Sequence, residues 1–286
     1  MTNKITDSNL GQDTQYPEQY DPTLLFPIAR AETRQGSPAE KTPAWIGGDI
    51  WTAFEVSWLD SKGKPIVAIA SFEFPQTNHY LIESKSFKLY LNSFNQSKFD
   101  RVDEVATHFK QDLSKASGGT VNVEIKLSHE WNDCQVINIP GASVDELDVD
   151  IDTYEPNAAL LQLKDGAGND AEQVNILYSN LLKSKCPVTN QPDWGTVIIA
   201  YKGKTIDPAA FLKYIVSYRL HNGFHELCVE EIYCDLLTQC APDKLFVMAR
   251  YTRRGGLDIN PWRASDEEII ESVKHLLMPF NRLARQ

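Results

Sequence analysis

The sequence predicts an α+β protein made of two tandem units, each an antiparallel sheet with two helices packed on one face. Three observations predict it. Segments that alternate in hydrophobicity, with the period of two that strands require, flank segments with helical spacing. The order strand, strand, helix, helix, strand, strand occurs once in each half. An acidic, turn-rich stretch separates the halves, and 286 residues at roughly 150 per domain leave room for two domains.

Residues 1–44 are rich in Pro, Asn, Gln and Thr and read as an extended arm, whose apolar patch from Tyr20 to Pro27 is suited to dock on the body. The first unit then covers 45–140. Asp49 to Leu59 alternates, with Ile50, Thr52, Phe54, Val56 and Trp58 on one parity, although Trp51 blurs the contrast. Ser61 to Lys64 makes a turn and Pro65 to Phe74 a second strand. Glu83 to Phe94 and Val102 to Ala116 are helices, the latter stopped by Gly118-Gly119. Thr120 to Leu127 alternates as a third strand, and Cys134 to Ile139 is expected to be the fourth.

An acidic linker covers 141–172, with a run from Asp145 to Asp152 that reads as a solvated connection. The second unit covers 173–286. Val174 to Leu181 and Trp194 to Tyr201 are its first strands. Asp207 caps a helix with Pro208 at its first position, and Phe211, Ile215 and Tyr218 form the apolar stripe. Glu226 to Cys240 is a second helix, Lys244 to Tyr251 and Leu257 to Asn260 are strands, and Asp266 to Leu277 is a terminal helix.

Composition narrows the function. The formal net charge is -11, which repels phosphate backbones and argues against direct binding of tRNA or DNA. No run of about 18 apolar residues predicts a membrane span. The polar N-terminus lacks an apolar signal core, so a cytoplasmic location is expected. The five cysteines are odd in number and suggest free thiols in a reducing compartment, one of which can be reactive.

Cys186 is the thiol of interest. It follows a strand, with Lys183 and Lys185 beside it to favour the thiolate and Asp193 seven residues on as the nearest acid or base. A buried, inert thiol is the competing reading. His225-Glu226 opens a helix, where a carboxylate also serves as an electrostatic cap. Glu83 to Lys88 heads another helix, with Ser84 and Ser86 available as caps. Arg253-Arg254-Gly255-Gly256 is a basic turn after a strand.

Two of these segments carry a resemblance. Glu83-Ser84-Lys85-Ser86-Phe87-Lys88-Leu89-Tyr90 resembles, at every position, a signature of the NADPH-dependent nitrile reductases. Lys185-Cys186-Pro187-Val188-Thr189 followed by Gln191-Pro192-Asp193-Trp194 is similar to the nucleophile loop of that family. Its members reduce 7-cyano-7-deazaguanine to 7-aminomethyl-7-deazaguanine on the way to the tRNA base queuosine. The resemblance runs from Tyr20 to Gly255, with no departure at a motif position.

The resemblance implies the long form of the family, two tandem tunnelling-fold units with the substrate held where the halves meet, and a homodimer. It implies Cys186 as the nucleophile that forms a thioimide and Asp193 as general acid. His225 would contact substrate and assist proton transfer. Glu226 would accept the two donors of the pyrimidine edge, with Ile82, Glu83 and Ser84 as further substrate contacts. Ser84, Lys85, Arg254 and Gly255 would hold NADPH, of which two are needed for a four-electron reduction.

Other signals point elsewhere. Gly166-Ala167-Gly168-Asn169-Asp170-Ala171 fits G-x-G-x-x-A but lacks alternating strands and helices around it, so a turn is expected. Cys228, Cys234 and Cys240 are spread around a helix, and His225 with Cys228 makes only two ligands, so no metal is expected. The remaining alternatives are a zinc-dependent pterin or purine hydrolase on the same fold and a purine-sensing or tRNA-associated binding module.

Overall fold

The structure is a computed structural model that describes residues 16–41, 43–166 and 169–286, with backbone only at 169–171. Of the G-x-G-x-x-A match, 167–168 lie outside the described residues, Gly166 is in a turn, and 169–171 already belong to a strand instead of the expected turn; the start of the arm also lies outside the described residues.

In chain order, a short strand β1 (Pro27–Ala29) leads into α1 (Arg30–Arg34), β2 (Ile46–Leu59) and β3 (Pro65–Pro75). Asp60 fixes the turn between β2 and β3, its Oδ1 accepting the N–H groups of Lys62 and Lys64 at 2.9 Å each. β4 (Tyr80–Ile82), α2 (Ser84–Asn92), α3 (Val102–Ser117) and β5 (Asn122–Leu127) follow. Gly118, with φ 69°, ends α3 in the left-handed conformation that glycine adopts without strain. Then come β6 (Ala142–Ser143), β7 (Asn169–Lys185), β8 (Pro192–Lys204), α4 (Pro208–Ser217), α5 (His225–Cys240), β9 (Lys244–Tyr251), β10 (Leu257–Ala264) and α6 (Glu267–Val273).

The architecture is mixed α+β. The β1–β4, β3–β5, β7–β8, β8–β9 and β9–β10 pairs are antiparallel, and β6 runs parallel to β7. The chain forms two compact units. One holds 49–135 with 253–259 and the N-terminal segment to Thr33; the other holds 34–48, 136–252 and 260–286.

In the first unit, Trp51, Phe72 and Phe74 of the sheet pack around Phe87 of α2, with ring centroids 5.1–6.4 Å apart. The expected parity of β2 does not hold throughout. Trp51 and Ala53 belong to the core, and so do Val56 and Trp58, so the inward parity switches at Phe54–Glu55. The tight turn at Gly255–Gly256 crosses there: Phe54 N donates to the Gly256 carbonyl at 2.8 Å, and a Cβ on Gly256 would overlap Glu55. One slipped residue moves every later side chain to the other face. The expected strand at Cys134–Ile139 is absent. Ser128–Asp133 is a 3-10 turn, and an isolated bridge pairs Val136 with Arg282, both within the second unit. Val136 is 55% exposed, so no apolar face holds this polar stretch to a sheet.

In the second unit, Val197, Ile199 and Tyr201 of β8 face Phe211 and Ile215 of α4 and Val229, Ile232 and Leu236 of α5. Glu230 anchors α5 from within, accepting from Arg34 Nη2 at 2.7 Å and Arg263 Nη2 at 2.6 Å. The acidic run is more than a solvated connection. Val144 and Leu161 are buried in the core of the second unit. Asp145 accepts from Ser179 Oγ at 2.7 Å and Asn180 Nδ2 at 2.8 Å, filling the irregularity where β7 shifts register. The terminal helix stops at Val273, before the expected Leu277. Its last carbonyls are drawn out of helical pairing, His275 O accepting from Asn281 at 3.0 Å and Leu276 O from Arg250.

Candidate active site

The Cys186 loop is built by backbone pairing. Lys185 faces Pro192, Ser184 faces Asp193 and Lys183 faces Trp194 across β7 and β8. The connecting loop closes on itself: Cys186 N donates to Gln191 O at 2.9 Å and Asn190 N to Cys186 O at 3.0 Å. Asn190 takes the closing left-handed position, φ 59°, which asparagine tolerates better than most residues. Cys186 is 9% exposed and Asp193 4%, so both lie inside the fold.

The start of α5 is fastened to the same strand end. Lys185 N donates to His221 O at 2.8 Å, and Gly223 N to Lys185 O at 3.1 Å. Gly223 gives the His221 ring its place here, because a Cβ would meet His221 Nε2 at 2.6 Å and the imidazole would have to shift. This pairing delivers His225 to Asp193, with Nε2 3.3 Å from Oδ2. Glu226 sits in the first turn of α5 and is buried, where the helix N-terminus favours a carboxylate. Lys183, expected to support the thiolate, is directed elsewhere: its Nζ donates to the Arg219 carbonyl at 2.9 Å and lies over the Trp194 ring. Burial, then Arg219 and Lys185, lower its pKa.

Ile82, Glu83, Ser84, Lys85, Arg254 and Gly255 all lie in the first unit. Ile82 pairs with Pro27, and Glu83 N donates to Phe26 O at 2.9 Å. The cap of α2 is Glu83 rather than a serine: its two carboxylate oxygens accept the N–H groups of Lys85 and Ser86 at 2.7 Å each. Ser86 Oγ instead donates to Glu83 O at 2.7 Å and accepts from Phe26 N at 3.0 Å. Burial pushes the Glu83 carboxyl up, against the pull of those N–H groups and of Lys88 and Lys85. Arg254 and Leu257 close a two-residue turn over Gly255 and Gly256, both at positive φ. A Cβ on Gly255 would stand 3.3 Å from Lys88 Cδ, so the turn lies directly against the lysine of α2.

Residues 16–125 match a family model described as nitrile reductase, 7-cyano-7-deazaguanine-reductase N-term, and residues 192–269 match one described as QueF-like protein. The chain is 52% identical over 258 residues to the NADPH-dependent 7-cyano-7-deazaguanine reductase of Burkholderia cenocepacia (strain HI2424), covering 90% of this chain and 93% of that one. The reductase of Paraburkholderia phytofirmans (strain DSM 17436 / LMG 22146 / PsJN) is 49% identical over 280 residues, 98% of both chains. The chain belongs to the NADPH-dependent 7-cyano-7-deazaguanine reductase family. The first match contains the Glu83–Tyr90 segment. The second contains Asp193, His225, Glu226, Arg254 and Gly255 and begins just after Cys186.

Two features of this reductase were not legible in its motifs. His225 is stacked on Tyr251, centroids 3.9 Å apart and planes at 21°. Behind the loop, His221 Nε2 lies 3.1 Å from Glu231 Oε2. Burial works against a charged His221, but Cys228 and Glu231 outweigh it and push the imidazole up to about 10. Neither Tyr251 nor His221 has a spacing signal; only the β8–β9 register and the loop pairing bring them to the site.

Proposed function

We propose that this chain catalyses the NADPH-dependent reduction of the nitrile of 7-cyano-7-deazaguanine to the aminomethyl product, with Cys186 as the attacking group. The observation that carries the assignment of roles is the 3.3 Å approach of His225 Nε2 to Asp193 Oδ2 beside the Cys186 loop. A nitrile carbon is a weak electrophile. Attack by sulfur needs a proton delivered to the nitrile nitrogen at the same time. Asp193 is the proton donor, and His225 holds it in place and returns the proton from solvent. The product of attack is a thioimide on Cys186 Sγ.

Glu226 orients the substrate: one carboxylate accepts the ring N–H and the exocyclic amine of the pyrimidine edge. Glu83 and Ile82 supply further substrate contacts. Each Glu83 oxygen accepts one backbone N–H, and each retains a lone pair for a ligand donor.

The residues of the first unit fit a dinucleotide phosphate. The Gly255 turn leaves room that a Cβ would fill against Lys88, Ser84 and Lys85 open α2, and Arg254 supplies a guanidinium suited to phosphate. NADPH, when bound, supplies hydride, and two are consumed per nitrile because four electrons are needed. Burial of Cys186 and Asp193 excludes the water that would hydrolyse a partly reduced imine.

Both units are tunnelling-fold modules in this reading, and the enzyme assembles as a homodimer. Among the described residues no helix is long and apolar enough to cross a membrane, and the charge of -11 disfavours direct contact with tRNA. The test is loss of NADPH absorbance on mixing purified protein with 7-cyano-7-deazaguanine. Two NADPH per nitrile are expected. Binding without consumption would overturn the reading.

A further inference from the structure

We infer that Tyr251 is a positioning residue for the reaction, setting the plane of His225 so that the imidazole meets Asp193. This rests on the roles proposed above for His225 and Asp193. One face of the Tyr251 ring carries the His225 imidazole, at 3.9 Å and nearly parallel. The ring also lies close against Gly195: a Cβ there would stand 3.1 Å from Cδ1 and 3.3 Å from Cε1 of the tyrosine ring. Gly195 pairs with Tyr251 across β8 and β9, and Thr252 N donates to Trp194 O at 2.8 Å, so the strands lock the ring over that glycine.

These contacts matter because of where their members sit. Gly195 is two residues beyond Asp193 on β8. Its missing side chain admits the tyrosine ring on which the imidazole stacks. A side chain at 195 would displace the ring by a few tenths of an ångström and carry His225 with it. The contact between His225 and Asp193 has one fixed end, the β8 backbone, and one adjustable end, the His225 side-chain torsion. A flat partner stacked on the imidazole removes that torsional freedom. Burial holds the phenol far above its ordinary range, so Tyr251 stays neutral and acts through its shape and not by giving up a proton. His225 meets Asp193 from β8 and Tyr251 from β9, and Cys228 of its own helix lies by Tyr251.

The test compares Tyr251→Phe, Tyr251→Leu and Gly195→Ala with the full-length wild type. Tyr251→Phe keeps the flat ring and is expected to retain turnover. Tyr251→Leu is expected to lose roughly tenfold to hundredfold in kcat, the scale of a misplacement of about 1 Å, with KM for the nitrile little changed. Gly195→Ala is expected to lose kcat in the same direction. The double variant Gly195→Ala/Tyr251→Leu is expected to lose no more than Tyr251→Leu alone, because both act on one stack.

A readout independent of turnover is the crystal structure of each variant, read as the distance from His225 Nε2 to Asp193 Oδ2, 3.3 Å in the wild type. That distance is expected to open beyond hydrogen-bond reach in Tyr251→Leu and to hold in Tyr251→Phe. A Tyr251→Leu enzyme with wild-type kcat and an unmoved His225 side chain would overturn the inference. So would losses of equal size in Tyr251→Phe and Tyr251→Leu, which would place the effect in the hydroxyl. If Tyr251→Leu fails to fold, Gly195→Ala decides alone: wild-type kcat and an unmoved His225 there overturn the inference. A wild type that consumes no NADPH counts against the proposed function instead, and the variant structures still decide the role of Tyr251.

Discussion

Replacing His221 with Gln tests whether the loop that leads into His225 and Glu226 of α5 is held by a buried charge pair. His221 Nε2 lies 3.1 Å from Glu231 Oε2, with side chains 16% and 10% exposed. The imidazole rises from 6.5 to about 10 on folding: burial alone would lower it, but Cys228 and Glu231 prevail. The folded value is raised, so the stabilisation is fully present below the unfolded pKa and is lost as pH rises through the folded one. Each pH unit in that window is worth 1.36 kcal/mol at most. From about pH 7 to about pH 9 the wild type is therefore expected to lose up to roughly 2–3 kcal/mol. The His221→Gln variant cannot titrate there and leaves Glu231 with a neutral partner. It is expected to be less stable by roughly 3–5 kcal/mol near neutral pH, with a flatter pH dependence above it. Urea unfolding followed by circular dichroism across that range measures both. Parallel pH dependences for wild type and variant would refute the reasoning, since the titrating group would then lie elsewhere.

Other substitutions probe the catalytic and binding groups. Cys186→Ala should abolish turnover while leaving ligand binding intact; a variant reducing nitrile at near wild-type rate would sink the covalent mechanism. Asp193→Asn should lower kcat by about 10²–10⁴-fold, the usual worth of a positioned proton donor, with the circular dichroism spectrum unchanged. Glu83→Ala removes the acceptor for two N–H groups at 2.7 Å and should cost about 1–2 kcal/mol, read as a lower Tm; Glu83→Gln should cost less. Gly255→Val places a branched side chain at φ 56° against Lys88, and should raise KM for NADPH more than it changes kcat.

Much of the fold was legible because the periodicities are strong. The stripe of α4 and the Asp207 cap, whose Oδ1 accepts from Ala209 N at 2.7 Å, are written into local residue types. The parity of β2 was not, since the switch at Phe54–Glu55 is imposed by a turn some two hundred positions away. The strand expected at Cys134–Ile139 failed for a similar reason: a short apolar alternation becomes a strand only where a partner edge and a core are available.

The chemistry followed the same division. The sequence by itself determined which residue types stand in the motifs, because a thiol in a loop, a carboxylate seven residues on and a His-Glu pair at a helix start are local features. Tertiary structure decided which of them act together and what holds them. The pairing of Lys185 with the 221–223 loop places His225 by Asp193, the glycine at 195 admits the Tyr251 ring, and the Arg219 carbonyl draws Lys183 away. Such contacts join residues distant in sequence through backbone register and packing, and neither spacing nor composition encodes a register.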